Sequence, residues 1–248
     1  MLSQSTVKSF EVAGCYRRWQ AEYTGEVQRF VSDPMKKGSF FEYLCLGGGS
    51  GKSEDVLDLE RLRNGNKSAE QLRIEKQAEK FKQMFDPDHE LWNGWYIQDK
   101  QIHLQHKEIE GTIDFTINNQ EFRLADLKLT ADLDTEYGYW SNPKELDFLQ
   151  AATYTYLWSQ NFSFIDKFDY WIYDYSTKMN VLNVEVTVSD EATDQMLKRF
   201  EATDSTILEY NLLDEYPKIP SIANCRYCKV SCDKRLNKAN YNQIQIVI

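Results

Sequence analysis

Between Trp95 and Thr130 the sequence alternates apolar and polar residues in four consecutive runs, WYIQ, IHLQHKEI, GTIDFTI and EFRLADLKLT. That period of two is the signature of half-buried strands, and it commits the middle of the chain to a sheet. Side chains alternate faces along a strand. In the third run Ile113, Phe115 and Ile117 therefore share one face, and Thr112, Asp114 and Thr116 the other. In the fourth, Ala125, Leu127 and Leu129 share a face, while Leu124, Asp126 and Lys128 take the opposite one. Asp126 and Lys128 must project together.

Loop length decides whether Asp114 joins them. A two-residue Asn118-Asn119 turn would pair Asp114 with Arg123 and leave Asp126 on the other face. A three-residue loop, Asn118-Asn119-Gln120, pairs Asp114 with Leu124 and sets it diagonal to Asp126, roughly 7–8 Å away. This register also stacks the apolar residues of both strands on one face. The expectation is an odd-length loop or an equivalent bulge.

Two acids and a lysine in this arrangement suit phosphodiester hydrolysis. A phosphodiester resists attack because its anionic oxygens repel the nucleophile and its leaving oxygen is poor. Carboxylates hold hard Mg²⁺ or Mn²⁺ ions, which polarise the phosphoryl group and lower the pKa of a bound water. A neighbouring lysine orients or deprotonates that water and neutralises charge in the transition state.

The flanking sequence supplies helices. Val7, Phe10, Cys15 and Trp19 predict one from about residue 5 to 23, and a second covers about 36 to 46, ending at Gly47-Gly48-Gly49. Ser68 caps a third, AEQLRIEKQAEKFKQMF. Asn142-Pro143 starts a fourth, ELDFLQAATYTYLW. The strands FDYWIYDYS and VLNVEVTVS follow, then an Asp190-capped helix to about residue 210. This order predicts an α/β core with a helical N-terminal part.

With 248 residues and 42% hydrophobic content, a sizeable core is available. No apolar run is long enough for a membrane span, and the first residues lack a basic-then-apolar leader. An intracellular, cytoplasmic protein is expected, bacterial or phage-encoded. The net charge of -10 does not announce a nucleic-acid binder, yet a local basic strip can coexist with it. Lys36-Lys37, Arg61/Arg63/Lys67 and Lys229/Lys234/Arg235/Lys238 are candidates, or simply solvated charges. GGGSGKS resembles a phosphate-binding loop only superficially: Leu46 stands where the first glycine belongs, and no strand precedes it. Tyr137-Gly138-Tyr139-Trp140 would either stack on unpaired bases or pack under its loop. His89, His103 and His106 are scattered and are assigned no role. Of five cysteines, Cys225, Cys228 and Cys232 fall within eight residues, a spacing that points to a metal or cluster.

The order Gly111-Thr112-Ile113-Asp114, then Asp126-Leu127-Lys128, then Gln150 and Tyr154 on one helix face resembles the PD-(D/E)xK nucleases. It looks closest to the branch of RecB-type nuclease domains and Cas4-like exonucleases. The resemblance implies a restriction-endonuclease-like α/β fold: a central mixed sheet flanked by helices, in one domain spanning 1–248. Within it, residues 1–90 form the helical N-terminal part, 91–210 the core, and 211–248 a Cys-rich segment that pairs with Cys15. It implies Mg²⁺ or Mn²⁺ on Asp114, Asp126 and Leu127, whose only oxygen is its main-chain carbonyl. Gln150 and Tyr154 would position the substrate strand and the lysine. Gly38-Ser39-Phe40-Phe41-Glu42 matches an upstream helical element that supplies a further ligand, Glu42. Cys15, Cys225, Cys228 and Cys232 match the one-plus-three plan of a [4Fe–4S] cluster. The last gap is short for that plan, and zinc or plain reduced cysteines remain alternatives. Cys45 reads as a core residue.

The implied activity is metal-dependent hydrolysis of DNA, by an exonuclease acting on single strands or free ends in recombination, repair or phage replication. A recombination or replication protein would be its partner. A nuclease-fold subunit that binds DNA or protein without cutting, and a structure-selective endonuclease, are the alternatives.

Overall fold

The alternating runs fold as strands in the computed structural model, which describes residues 1–29, 31–47, 65–134, 140, 147–218 and 230. In chain order the elements are β1 (Leu2–Ser3), α1 (Gln4–Glu11), α2 (Tyr16–Tyr23), α3 (Asp33–Leu46), α4 (Ala69–Met84), β2 (Tyr96–His106), β3 (Ile109–Asn118), β4 (Phe122–Thr130), α5 (Leu149–Asn161), β5 (Lys167–Asp174), β6 (Val181–Thr187) and α6 (Asp190–Leu212). They divide into two compact units: Met1 with Val31–Met196, and Leu2–Phe30 with Leu197–Ile248. These borders cut across the segments 1–90, 91–210 and 211–248.

In the larger unit β2 to β6 lie side by side in sequence order. β2 pairs antiparallel with β3, β3 antiparallel with β4, β4 parallel with β5, and β5 antiparallel with β6. A parallel neighbour needs a crossover, and α5 supplies it between β4 and β5. The sheet is mixed and helices flank it, as expected. Phe115, Ile117, Ala125, Leu127, Trp171 and Tyr173 form one apolar layer with Phe40, Phe41 and Cys45 of α3 and Ile74, Ala78 and Phe81 of α4. α5 packs on the opposite face, where Tyr154 meets Phe168 with ring centroids 6.0 Å apart.

Local chemistry sets the helix ends. α3 starts earlier than its apolar periodicity suggests because Pro34 fits a first turn, and it ends where Gly47 takes φ +82°. Ser68 accepts from the Gln71 N–H at 3.0 Å, closing the first turn of α4. α5 begins at Leu149, whose N–H bonds to Asp147 Oδ1 at 3.1 Å. The expected Asn142-Pro143 start lies outside the described residues. Ser189 rather than Asp190 caps α6, through a 3.2 Å bond to the Ala192 N–H.

The smaller unit breaks the single helix expected over 5–23 into α1 and α2. Gly14 disfavours a helix interior, and Cys15 is extended at φ −155°. The two helices then fold against each other, with Trp19 edge-on to Phe10 at 4.9 Å. Tyr216 stacks near Trp19 at 6.4 Å, and Val230 is buried with Ala21. Arg199 holds Glu11 at 2.6 Å. No described helix is long and apolar enough to cross a membrane.

Candidate active site

The hairpin that carries the acids closes with an odd-length loop, one position further along than expected. Asn118 pairs with Phe122, so the loop is Asn119-Gln120-Glu121, and Thr116, not Asp114, faces Leu124. Gln120 makes this possible by adopting the left-handed conformation, φ +63°, which a three-residue hairpin loop requires. The parity is as predicted, and Asp114 and Asp126 share a face. The shift matters, because it brings Asp114 opposite Asp126 rather than diagonal to it.

The two strands separate at this point. The last pair between β3 and β4 is Phe115 with Ala125. Beyond it β3 stays with β2 as far as Ile109, and β4 stays with β5 as far as Thr130. In place of a main-chain partner, the Leu127 N–H donates to Asp114 Oδ2 at 2.9 Å. Asp114 thus sits in the fork of the sheet and holds its two branches together.

Asp126 is the centre of the arrangement and is 1% exposed. Gln150 Nε2 donates to its Oδ1 at 2.5 Å, and the same amide lies 3.5 Å from the Tyr154 hydroxyl. Its Oδ2 is ion-paired with Lys128. Burial pushes the Asp114 carboxyl well above the usual carboxylate range, and the charge of Asp126 pushes it further. Burial also raises Asp126, against the pull of Lys128. For Lys128 burial alone would lower the pKa, but Asp126 and Asp114 outweigh it and hold the side chain as an ammonium. Glu42 of α3 is close enough for its charge to raise all three groups. Its Oε1 accepts from Gln101 Nε2 at 3.3 Å.

Gly111 has a steric role that spacing alone did not reveal. A Cβ there would stand 2.6 Å from Tyr154 Cε1 and 3.3 Å from Leu157 Cδ1. Only glycine lets α5 settle on β3 closely enough for Gln150, one turn before Tyr154, to reach Asp126. Gln101 was not anticipated at all. It follows an irregularity in β2 between Ile97 and Lys100 and carries φ +52°, neither of which shows in the sequence.

Two other buried acids have local partners. Asp174 accepts from the N–H groups of Leu133 and Asn180 and from the Ser176 hydroxyl, ordering the ends of β4 and β5. Asp169 is paired with Arg123 at 3.2 Å. The lysines of two expected basic strips also have acidic neighbours: Lys36 with Asp33, Lys37 with Glu70, and Lys67 with Glu75. The remaining strip residues, Arg61, Arg63, Lys229, Lys234, Arg235 and Lys238, lie outside the described residues. Trp140 is buried and packs 5.5 Å from Tyr170. Each histidine has a local neighbour: His89 the Leu91 N–H, His103 the Thr112 hydroxyl, His106 the Tyr156 ring.

Cys15 is half-buried and unbridged and lines a cavity of about 330 Å³ with Ser9, Arg18 and Trp19. Cys225, Cys228 and Cys232 lie outside the described residues. Cys45 is buried, with its thiol pKa pushed well up by burial, which suits a core residue. Among the described residues no group of three or more His, Cys, Asp or Glu side chains is placed to hold a metal ion.

No protein-family model matches the chain, and no curated protein matches it in sequence. A solved structure from Eubacterium rectale, described as a "Putative exonuclease", is similar to it with a TM-score of 0.62 and 18% identity, covering 98% of this chain and 93% of that one. The likeness is one of fold alone, a mixed sheet flanked by helices. A second structure, SSO0001, is similar over 56% of this chain and 61% of its own at a TM-score of 0.32, too low to carry an argument.

Proposed function

We propose that this protein is a metal-dependent nuclease of the PD-(D/E)xK type, in its RecB-like and Cas4-like branch, that hydrolyses phosphodiester bonds in DNA. The observation that carries this is the network on Asp126: a fully buried carboxylate fixed by Gln150 and Lys128, facing Asp114 where the sheet forks. Burying several charges costs more than it returns unless they are paired. Here, among the described residues, the buried Asp126 and the half-buried Asp114 and Glu42 all act on the ammonium of Lys128, an imbalance that marks functional clefts more often than structural ion pairs. The nuclease-like fold and its similarity to the E. rectale protein support the same reading.

The donor chemistry fits Mg²⁺ or Mn²⁺. All donors are oxygens, their charge is in excess, and Mg²⁺ commonly binds through one or two carboxylates, keeping waters or phosphates for its other positions. Asp114, Asp126, Glu42 and the Leu127 carbonyl would hold it. When bound, such an ion supplies Lewis-acid polarisation of the phosphoryl oxygens and a water of lowered pKa. The chain's own residues do the rest. Lys128, ion-paired with Asp126, orients or deprotonates the attacking water and neutralises charge on the phosphoryl oxygens. Gln150 fixes the rotamer of Asp126, and Tyr154 holds Gln150 in place. Glu42 is oriented by Gln101.

The biological substrate we infer is DNA with single strands or free ends, cut exonucleolytically in recombination, repair or phage replication, in the cytoplasm and alongside a recombination or replication protein. Cys15, Cys225, Cys228 and Cys232 would bind a [4Fe–4S] cluster, with zinc as the other occupant of four thiolates. End-labelled single- and double-stranded DNA incubated with the purified protein and Mg²⁺, Mn²⁺ or EDTA tests the activity and reads out polarity. Iron and acid-labile sulfide analysis of anaerobically purified protein tests the cluster.

A further inference from the structure

A recess of about 410 Å³ opens in the larger unit, lined by Cys45, Phe81, Lys82, Phe85, Pro87, Tyr96, Ile97 and Lys100. Its floor is apolar: Cys45, Phe81 and Phe85 are buried. Its wall includes Tyr96, which is 46% exposed. Among the described residues, the charged side chains that line it are Lys82 and Lys100, in a chain of net charge -10. Both ammonium groups lie close enough to the Cys45 thiol for their charges to act on it. Lys82 has an acidic neighbour in Glu79, 3.4 Å away and largely exposed.

Two independent connections join this recess to the candidate catalytic carboxylates. Cys45 lies three residues after Glu42 on α3, so the two share a helix face, about one turn apart. Lys100 immediately precedes Gln101, whose amide bonds to Glu42. The irregularity in β2 between Ile97 and Lys100, with the left-handed Gln101 after it, presents Lys100 and Gln101 at this place. Strained backbone of this kind concentrates where a site needs it.

We propose that this recess is a nucleotide-binding subsite, which holds a phosphate of the substrate strand on Lys82 and Lys100 and the attached base against Tyr96 and the apolar floor. This deepens the nuclease reading and rests on it. The pairing of lysine charge with an aromatic platform suits an unpaired strand, because stacking on aromatic side chains requires a base face that the stacked neighbours of a duplex keep covered. It would hold a nucleotide beside the one being cleaved and keep the strand engaged next to Glu42.

The test uses the full chain in EDTA, where no cleavage occurs, and a fluorescein-labelled oligothymidylate followed by anisotropy across a salt series. Each phosphate of a single strand that is no longer neutralised flattens the plot of log affinity against log salt by about 0.7. The variant Lys82→Ala/Lys100→Ala, which removes both ammonium groups from one phosphate, is therefore expected to bind several-fold more weakly, with a slope about 0.7 smaller. Lys167→Ala, at the start of β5, is the control and should leave the slope unchanged. Circular dichroism confirms that each variant folds. A double variant with the wild-type slope overturns the subsite. Cleavage assayed in parallel separates the two ideas: wild-type cleavage with an unchanged slope rejects the recess alone, while neither binding nor cleavage by the wild type rejects both.

Discussion

Asp114 is a residue whose charge opposes folding and serves chemistry. It is half-buried, repelled by Asp126, and offset by Lys128 and the Leu127 N–H. Asp114→Asn keeps an oxygen that can accept from Leu127 and removes the repulsion. In EDTA the variant is expected to be more stable than wild type by about 1–2 kcal/mol, or roughly 2–8 °C in Tm. Addition of Mg²⁺ should raise the Tm of the wild type by mass action on the folded state, and raise that of the variant much less. Differential scanning calorimetry with and without Mg²⁺ measures both effects, and equal Mg²⁺ shifts in the two proteins would remove Asp114 from the metal site. Lys128 belongs to the same network with the opposite sign. Lys128→Ala leaves Asp126 buried without its ion pair, so it should lower stability as well as cleavage, which should fall at least about 10²-fold.

At the scale of elements, the close approach of α5 to β3 positions Gln150. Gly111→Ala places a methyl group 2.6 Å from the Tyr154 ring edge, which should cost about 1–3 kcal/mol in a urea melt and reduce cleavage by displacing Gln150. Truncating the ring in Gly111→Ala/Tyr154→Leu should recover part of the stability without the activity. The hairpin loop permits an opposite change. Gln120 has φ +63°, a conformation costing a non-glycine residue about 1–2 kcal/mol, so Gln120→Gly should stabilise by up to about 1 kcal/mol. These elements also show what the sequence could and could not carry. Alternation assigned Ile113, Phe115, Ile117, Ala125 and Leu127 to one face and the acids to the other, because face is a matter of parity. Loop parity followed from the demand that both apolar sets be buried together. The shift of one position did not follow, since Asn118 and Asn119 could each begin the loop on local chemistry alone. Nor could the sequence show that β3 and β4 part after Phe115, or that Gln101 reaches Glu42, because neither the end of the β3–β4 pairing nor the irregularity in β2 is marked by residue type.

On the scale of the molecule, the candidate catalytic residues and the candidate cluster ligand Cys15 fall in different units: Asp114, Asp126, Lys128, Gln150 and Glu42 lie in the larger, Cys15 in the smaller. If a cluster on Cys15 holds the smaller unit together, Cys15→Ser should abolish bound iron and expose the 2–30 segment to limited proteolysis, leaving protection of β2–β6 in hydrogen exchange largely intact. Helix and strand order was readable from periodicity and the mixed sheet was implied by the resemblance to the PD-(D/E)xK nucleases, but the two-unit division was not legible: it depends on residues far apart in sequence, such as Ala21 and Val230, being buried together. The measurement closest to the central claim is cleavage of end-labelled DNA by the folded protein, with Mg²⁺, Mn²⁺ or EDTA, beside Lys128→Ala. Degradation that requires the metal and is lost in the variant is the expected result. Folded wild-type protein that leaves every DNA substrate intact with either metal, or cleavage that survives in Lys128→Ala, would contradict it.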